Sequence, residues 1–325
     1  MSFTIFYFNP KATAETRAAV QAALPGGWNL LTPSSPGDQS RELAACDFIL
    51  VADHPITAAN LDAAPRLRMI QHQGVGHDNI DLAACQARGI PVAITPEGTS
   101  TGVAEHTLLL ILALYKKLLV AAGAARQGRW LQWELRAASH ELSGKVLGLV
   151  GFGRIGQEVA RRAAAFNARI LYTDPLATAP SDLLAERVAT LGQLLERADI
   201  VSLHLPLTTQ TRHLINARSL AQMRRSALLI NTSRGGLVDE AALLEALDSG
   251  RLAGAGLDVL AQEPPPGNHP LLQRDDVLIT PHISAGTREA FATKMRHAFA
   301  NMLRHTRGEP LHHCVTALAE AKTLT

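Results

Sequence analysis

VLGLVGFGRIGQEVA, residues 146 to 160, decides how the chain folds. An apolar, strand-like run from Val146 to Val150 passes directly into Gly151-Phe152-Gly153-Arg154-Ile155-Gly156, and an amphipathic helical pattern follows, with Ile155, Val159, Ala163 and Phe166 on one face. Strand, glycine turn and helix in that order make a dinucleotide fingerprint: Gly151 suits the tight turn, Gly153 lets a pyrophosphate approach the backbone, and Gly156 permits close helix-to-strand packing. The helix N-terminus adds N–H groups and a favourable dipole for the phosphates. Eighteen residues beyond Gly156, after the strand-like ARILYT, stands Asp174, placed to accept hydrogen bonds from ribose hydroxyls and to repel a 2′-phosphate, so NAD is expected over NADP. An aspartate before Pro175 that only starts a turn is the plainer alternative.

Outward from this unit the same alternation recurs. Strand-like runs FTIFYFN, WNLL, CDFILVAD, LRMIQHQG and PVAIT fill the first third, and ARILYTD, DIVSLHLP, ALLINTS, GAGLDVL and VLITPH continue after the fingerprint. Helical or loop patterns separate them, which predicts two α/β units, each with a parallel sheet. A helical stretch from about Thr101 to Ala122 lies between the two sets, and another, from about Thr287 to Arg307, precedes a polar tail.

Composition limits the alternatives. The chain of 325 residues is long enough for two domains, and 47% apolar with 18% charged residues fits a globular protein. A net charge of +2 without a Lys/Arg stripe gives no nucleic-acid footprint. The most apolar stretch, Thr107 to Tyr115, stops at Lys116-Lys117, short of the roughly 18 residues of a membrane span. MSFTIFYFNP reads as a first strand and not as a signal peptide, so cytoplasmic residence is expected. Cys46, Cys85 and Cys314 lie far apart without ligand spacing and suggest neither disulfides nor a metal site.

Three apolar strands end in polar groups: ALLINTS leads to Arg234, GAGLDVL carries Asp258 and leads to Glu263, and VLITP leads to His282. Strand carboxyl ends face the ligand crevice of an open α/β sheet, so the three can share one site. Singly, Arg234 reads as a solvated turn residue, Glu263 as surface loop and His282 as a strand cap. Together they suit reduction of a 2-oxo acid: a guanidinium grips a carboxylate, an imidazole supplies a proton near neutral pH, and a carboxylate raises and orients the imidazole. Gly74-Val75-Gly76, in QGVGHD, offers backbone N–H groups to an anion, or is simply a tight loop, with His72 and His77 as loop residues.

The stretches QGVGHDNIDLAACQARGIPVAITP, GVAEHTLLLILAL, GRW, LSGKVLGLVGFGRIGQEVA, HLPLTTQTRHLI, INTSRGGLVDEAALLEAL, AGLDVLAQEP and TPHISAGT, in this order, resemble the NAD-dependent D-isomer-specific 2-hydroxyacid dehydrogenases. The resemblance implies two Rossmann-like or flavodoxin-like domains, a discontinuous substrate domain (1–97 with 284–325) and an NAD domain (98–283), with substrate in the cleft between them. By motif it implies Arg234, Glu263 and His282 as the catalytic set, with Val75, Gly76 and Arg234 on the substrate. For NAD it implies Val103, Gly151, Gly153, Arg154, Ile155, Gly156, Asp174, His204, Leu205, Pro206, Thr232, Asp258, His282, Ser284 and Ala285, Asp258 accepting from the carboxamide. It also implies a homodimer acting on a small 2-oxo or D-2-hydroxy acid.

Departures such as His140, where glycine is frequent, and Gln73 leave the preferred acid open. Glu263 argues against a formate enzyme, whose relatives carry glutamine there, and Gln73 against a phosphite enzyme, whose relatives carry lysine. A corepressor-like NAD(H) sensor on the same scaffold is the alternative of another class.

Overall fold

A parallel strand covered by helices on both faces has no solvent side, so its residues run apolar without alternation. The computed structural model, which describes residues 2–33 and 39–316, shows that consequence repeatedly. In chain order, β1 (Thr4–Phe8), α1 (Ala14–Ala23), β2 (Asn29–Leu31), α2 (Ser40–Ala45), β3 (Phe48–Val51), α3 (Ala58–Asp62), β4 (Met69–His72), α4 (Leu82–Ala87) and β5 (Val92–Ala93) come first. Then follow α5 (Thr99–Tyr115), α6 (Leu118–Arg126), β6 (Val146–Val150), α7 (Arg154–Ala164), β7 (Arg169–Thr173), β8 (Glu186–Arg187) and α8 (Leu191–Arg197). The last elements are β9 (Ile200–Leu203), α9 (Ala217–Gln222), β10 (Leu228–Asn231), α10 (Glu240–Asp248), β11 (Gly254–Leu257), β12 (Val277–Ile279) and α11 (Arg288–Thr306). The fold is α/β, with two all-parallel sheets.

The chain divides into two compact units, residues 1–99 with 288–325, and residues 100–287. In the first, the five strands run in the order β2-β1-β3-β4-β5. Ile5 and Tyr7 of β1 with Phe48 and Leu50 of β3 meet Met295, Ala298, Phe299 and Met302 of α11. Phe6, Phe8, Ile49 and Val51, the residues between, build the core on the opposite face. Each such large side chain stabilises the unit by roughly 1.5–3 kcal/mol on burial. The open edge of β5 is covered by an antiparallel stretch near the C-terminus, where Ala93 bridges Cys314 and the Val315 N–H donates to the Val92 carbonyl. Pairing in this way removes a sheet edge that would otherwise invite association.

The second unit carries seven strands in the order β12-β11-β10-β9-β6-β7-β8. From β6 the chain winds outward through β7 to β8, then returns to β9 on the other side of β6. The direction of winding therefore reverses between β6 and β9, the place where such sheets bind ligands.

Three local readings change, and a fourth lies partly outside the described residues. The helix expected over 101–122 is two helices bent by 63°, because Lys117 takes a left-handed backbone (φ 51°) between them. Among the described residues no single helix is long and apolar enough to cross a membrane. β8 has no apolar signature because its two residues are exposed at the sheet edge. Phe166 lies beyond the end of α7 and is 43% exposed, so the helix buries Gly156, Val159, Ala160 and Ala163 instead. The polar tail expected after Arg307 lies, beyond 316, outside the described residues.

Phe48 is fully buried, with the Trp28 ring stacked on it at 5.4 Å and Phe3 edge-on at 5.6 Å. Phe48→Ala is expected to destabilise the first unit by about 3–5 kcal/mol in urea unfolding. Leu184→Ala, at a position 95% exposed, should stay within about 0.5 kcal/mol.

Candidate active site

The end of β6 and the start of α7 leave little room for side chains. Gly151 has φ +92°, and a Cβ there would come within 2.3 Å of the His204 carbonyl oxygen at the end of β9. At Gly156 a Cβ would meet the Gly151 carbonyl oxygen at 2.5 Å. A Cβ on Gly153 would touch nothing within 4 Å, so the protein keeps open space beside the first turn of α7. The Gly153 N-cap makes no side-chain bond into that helix, whose first residues are Arg154 and Ile155, and a helix amino end favours an anion.

Asp174, just after β7, ties the glycine turn down. One carboxylate oxygen accepts the Phe152 N–H at 2.7 Å, and the other accepts the Leu176 and Ala177 N–H groups, each at 2.8 Å. Burial opposes the charge, but these three donors and the nearby Arg187 outweigh it and hold the carboxyl below its ordinary range. On the other side of the turn, His204 pairs its Nε2 with the Ser202 hydroxyl at 2.9 Å, while its Nδ1 is buried without a partner. Burial pushes this imidazole down to about 3, so it is neutral at ordinary pH. Leu205 and Pro206 continue from it. Tight turn, open space at Gly153, a helix start without a side-chain cap at Gly153 and ionised Asp174 together fit a bound dinucleotide.

Further along the same sheet edge, Asp258 is 1% exposed at the end of β11. One of its oxygens accepts the Thr280 hydroxyl (2.6 Å) and the Ile283 N–H (2.9 Å), and the other accepts the Ser284 N–H (2.9 Å). The Asp258 carbonyl takes the His282 N–H at 2.8 Å. These bonds hold His282 at φ +51°, a left-handed conformation that is uncommon outside glycine and persists where the surroundings over-determine it. His106 adds a bond from Nε2 to the Thr280 hydroxyl at 2.9 Å. Around the same place Thr107 joins Val103, whose carbonyl it bonds at 2.8 Å, to Thr232, whose hydroxyl lies at 3.1 Å. Gly102 is packed so closely against the Ser284 carbonyl that a Cβ would approach to 2.9 Å, with Ala285 next to it. Val103, Thr232, Asp258, Ser284 and Ala285 are thus brought together, with His106, Thr107 and Thr280 as supports that short-range pattern does not reveal.

The loop holds His282 against Glu263, Nδ1 to Oε2 at 2.7 Å. The other carboxylate oxygen accepts the Leu260 N–H at 3.0 Å. The Glu263 hydrogen bond raises the imidazole pKa above its ordinary 6.5, against the burial and the Arg234 charge that would lower it. Burial raises Glu263, but the bond and charge of His282, the Leu260 N–H and Arg234 leave it lowered. With Nδ1 committed, Nε2 is the nitrogen left to face a ligand, on a side chain 46% exposed. Arg234 follows β10, half-buried, its Nη1 on the Ser233 carbonyl and its own carbonyl held by Asn231.

In the first unit the Gly74–Gly76 loop follows β4. His72, expected as a loop residue, is instead the buried last residue of β4. Its Nδ1 accepts the Gly74 N–H at 2.9 Å, immediately before Val75 and Gly76. His77 bonds the Val75 carbonyl at 2.9 Å. Gln73 is 8% exposed and its Nε2 is buried without a partner. A cavity of about 400 Å³ in this unit, lined by Thr95, Glu97, Asn301, Arg304, His312 and His313 among others, contains none of the expected site residues. Among the described residues no group of three or more His, Cys, Asp or Glu could hold a metal ion.

The family model described as "D-isomer specific 2-hydroxyacid dehydrogenase, NAD binding domain" matches residues 108–284, more than half of the chain. The chain belongs to this family. A glyoxylate reductase of Korarchaeum cryptofilum is 39% identical over 266 residues, 81% of this chain and 80% of that protein. A hydroxypyruvate reductase of Thermotoga maritima is 44% identical over 237 residues, 72% of this chain and 76% of that protein. The NAD complex of a formate dehydrogenase from Staphylococcus aureus superposes with a TM-score of 0.86 at 29% identity, covering 97% of this chain and 100% of that one. The D-2-hydroxyacid dehydrogenase described here is accordingly an NAD-dependent oxidoreductase acting on small 2-hydroxy or 2-oxo acids.

The His282–Glu263 pair has a defined pH window. A raised histidine contributes stability that is full below 6.5 and lost as pH rises through the raised value; a lowered glutamate contributes above 4.5 and loses it as pH falls. Titration of the His282 ring by NMR should give a midpoint above 6.5, and Glu263→Gln should bring it down. Equal midpoints in the two proteins would mean that the bond does not control the ring.

Proposed function

We propose that this enzyme reduces a small 2-oxo acid to the D-2-hydroxy acid with NADH, in the manner of a glyoxylate or hydroxypyruvate reductase. The observation that carries the reading is the 2.7 Å bond between His282 and Glu263 on a loop clamped by Asp258. It supplies a proton donor whose pKa is raised by its Glu263 partner, at the carboxyl edge of the dinucleotide sheet.

Bound NADH supplies the hydride to the carbonyl carbon. His282, as imidazolium, gives its Nε2 proton to the carbonyl oxygen, and Glu263 stays ionised beside the ring throughout. In oxidation the neutral imidazole takes the proton back. Arg234 binds the carboxylate and polarises the carbonyl; a guanidinium does both with its fixed fork of donors. The Val75 and Gly76 N–H groups are the first unit's donors for the carboxylate. Asp174 takes the ribose hydroxyls and disfavours a 2′-phosphate, while Arg154 and Ile155 offer backbone N–H groups to the pyrophosphate. His204, Leu205 and Pro206 line the adenine side, and Val103, Thr232, Asp258, Ser284 and Ala285 the nicotinamide side. Three of the Asp258 acceptor positions are already used, so its main work is to hold the His282 loop. A cytoplasmic homodimer completes the proposal, by analogy with the family.

NADH oxidation measured across a panel of small and bulky 2-oxo acids, with product chirality, tests the reaction. Binding of NADH without turnover of any acid would leave the corepressor-like reading standing instead. In that assay His282→Ala should lose about 10²–10⁴ in kcat, and Arg234→Ala should raise KM and lower kcat together. Reduction requires imidazolium, so the wild-type rate falls as pH rises through the raised His282 pKa, and Glu263→Gln should move that fall to lower pH.

Asp174→Ala removes both the ribose acceptor and the anchor of the Phe152 N–H. The ratio of kcat/KM for NADH over NADPH is expected to drop by about tenfold or more, on the order of one charge-assisted bond.

A further inference from the structure

We propose that Thr95, Gln71, His72 and Asn301 form a buried relay that positions the Val75 and Gly76 N–H groups. This rests on the reading of that loop as the carboxylate site. The relay starts on α11, where Asn301 is 3% exposed and donates through Nδ2 to Gln71 Oε1 (2.9 Å) and to the His312 carbonyl (3.0 Å). Its Oδ1 accepts the His312 N–H at 2.9 Å, so the amide is satisfied at both ends. Gln71, 1% exposed in β4, donates from Nε2 to Thr95 Oγ1 at 2.9 Å and to the Ala93 carbonyl at 3.2 Å.

Thr95, also 1% exposed, passes the connection on. Its hydroxyl donates to the His72 carbonyl at 2.8 Å, and its N–H donates to the Gly74 carbonyl at 3.0 Å. His72 closes the relay from the other side. Its Nδ1 accepts the Gly74 N–H at 2.9 Å, which is possible only while that nitrogen is unprotonated, and its Nε2 then donates to the Ala52 carbonyl at 2.7 Å. Both backbone polar groups of Gly74 are therefore fixed by relay members immediately before the two donors assigned to the substrate. The His72 ring also packs against Gly74, where a Cβ would lie at an ordinary contact distance of 3.4 Å.

An apolar core would serve stability as well as this one, since buried polar groups only break even when every bond is made. A fully satisfied network does, however, set one orientation of the backbone it holds. A substrate anchored by two N–H groups needs that orientation to a fraction of an ångström. The four side chains are positioning residues and touch no reacting atom.

Thr95→Val keeps the shape and deletes the hydroxyl, and Thr95→Ser keeps the hydroxyl. Steady-state kinetics with a turned-over 2-oxo acid, and fluorescence titration of NADH, should show for Thr95→Val a three- to tenfold rise in KM for the acid, of the order of one misplaced hydrogen bond. Its kcat and NADH affinity should stay within about twofold of wild type, and Thr95→Ser should recover the wild-type KM to about the same margin. Asn301→Leu, at the far end of the relay, should shift the same parameter in the same direction and serves if Thr95→Val does not fold. Gly76→Pro, which deletes a loop N–H itself, separates the two readings. A higher KM in Gly76→Pro with an unchanged KM in both relay variants overturns the relay and leaves the loop assignment in place; an unchanged KM in all three removes the loop assignment as well.

Discussion

Asp258 is a carboxylate taken out of water, and the arrangement around it follows from the need to satisfy it. A buried charge without donors is costly enough that the local fold must supply them. Here the donors are the Thr280 hydroxyl and the successive N–H groups of Ile283 and Ser284, so the chain after β12 is forced to wrap around one side chain. Wrapping in that way turns His282 into a left-handed conformation and delivers its ring to Glu263. The His282 ring owes its place to a residue whose side chain does not bond it.

The same economy recurs at the other end of the sheet and in the first unit. Asp174 fastens Phe152 in the glycine turn while remaining an anion. His72 fastens Gly74 just before Val75 and Gly76. In each case a side chain at a strand end spends some of its hydrogen bonds on shaping a loop, and the loop then presents backbone groups or a ring outward. Parallel sheets favour this arrangement because their strand ends gather several chain reversals on one edge.

Of the candidate site, the individual residues stand out in the sequence. Arg234, Glu263 and His282 do so because each follows the end of an apolar strand with a group capable of chemistry, and Gly151, Gly153 and Gly156 do so because a helix follows them. What remained hidden were the supports. Thr107, His106 and Thr280 look like ordinary residues of an apolar helix and a strand end, since nothing local marks a hydroxyl that will bond 125 residues away, as Thr107 does with Thr232. The bend at Lys117 was hidden for a related reason: both flanking segments are helical in pattern, and one left-handed residue between them leaves no trace in hydrophobic periodicity.

The amino-acid sequence by itself determined the number and kind of most strands, the dinucleotide turn and the chemical types available for catalysis, because apolar runs, glycine spacing and side-chain chemistry act over a few residues. Tertiary structure alone decided the strand orders, the commitment of His282 Nδ1 to Glu263, and the linkage of Asn301 to Gln71 across 230 residues. Those outcomes depend on which buried polar groups meet when the layers close, and a hydrogen bond between distant segments exists only once packing has brought its two ends within about 3 Å.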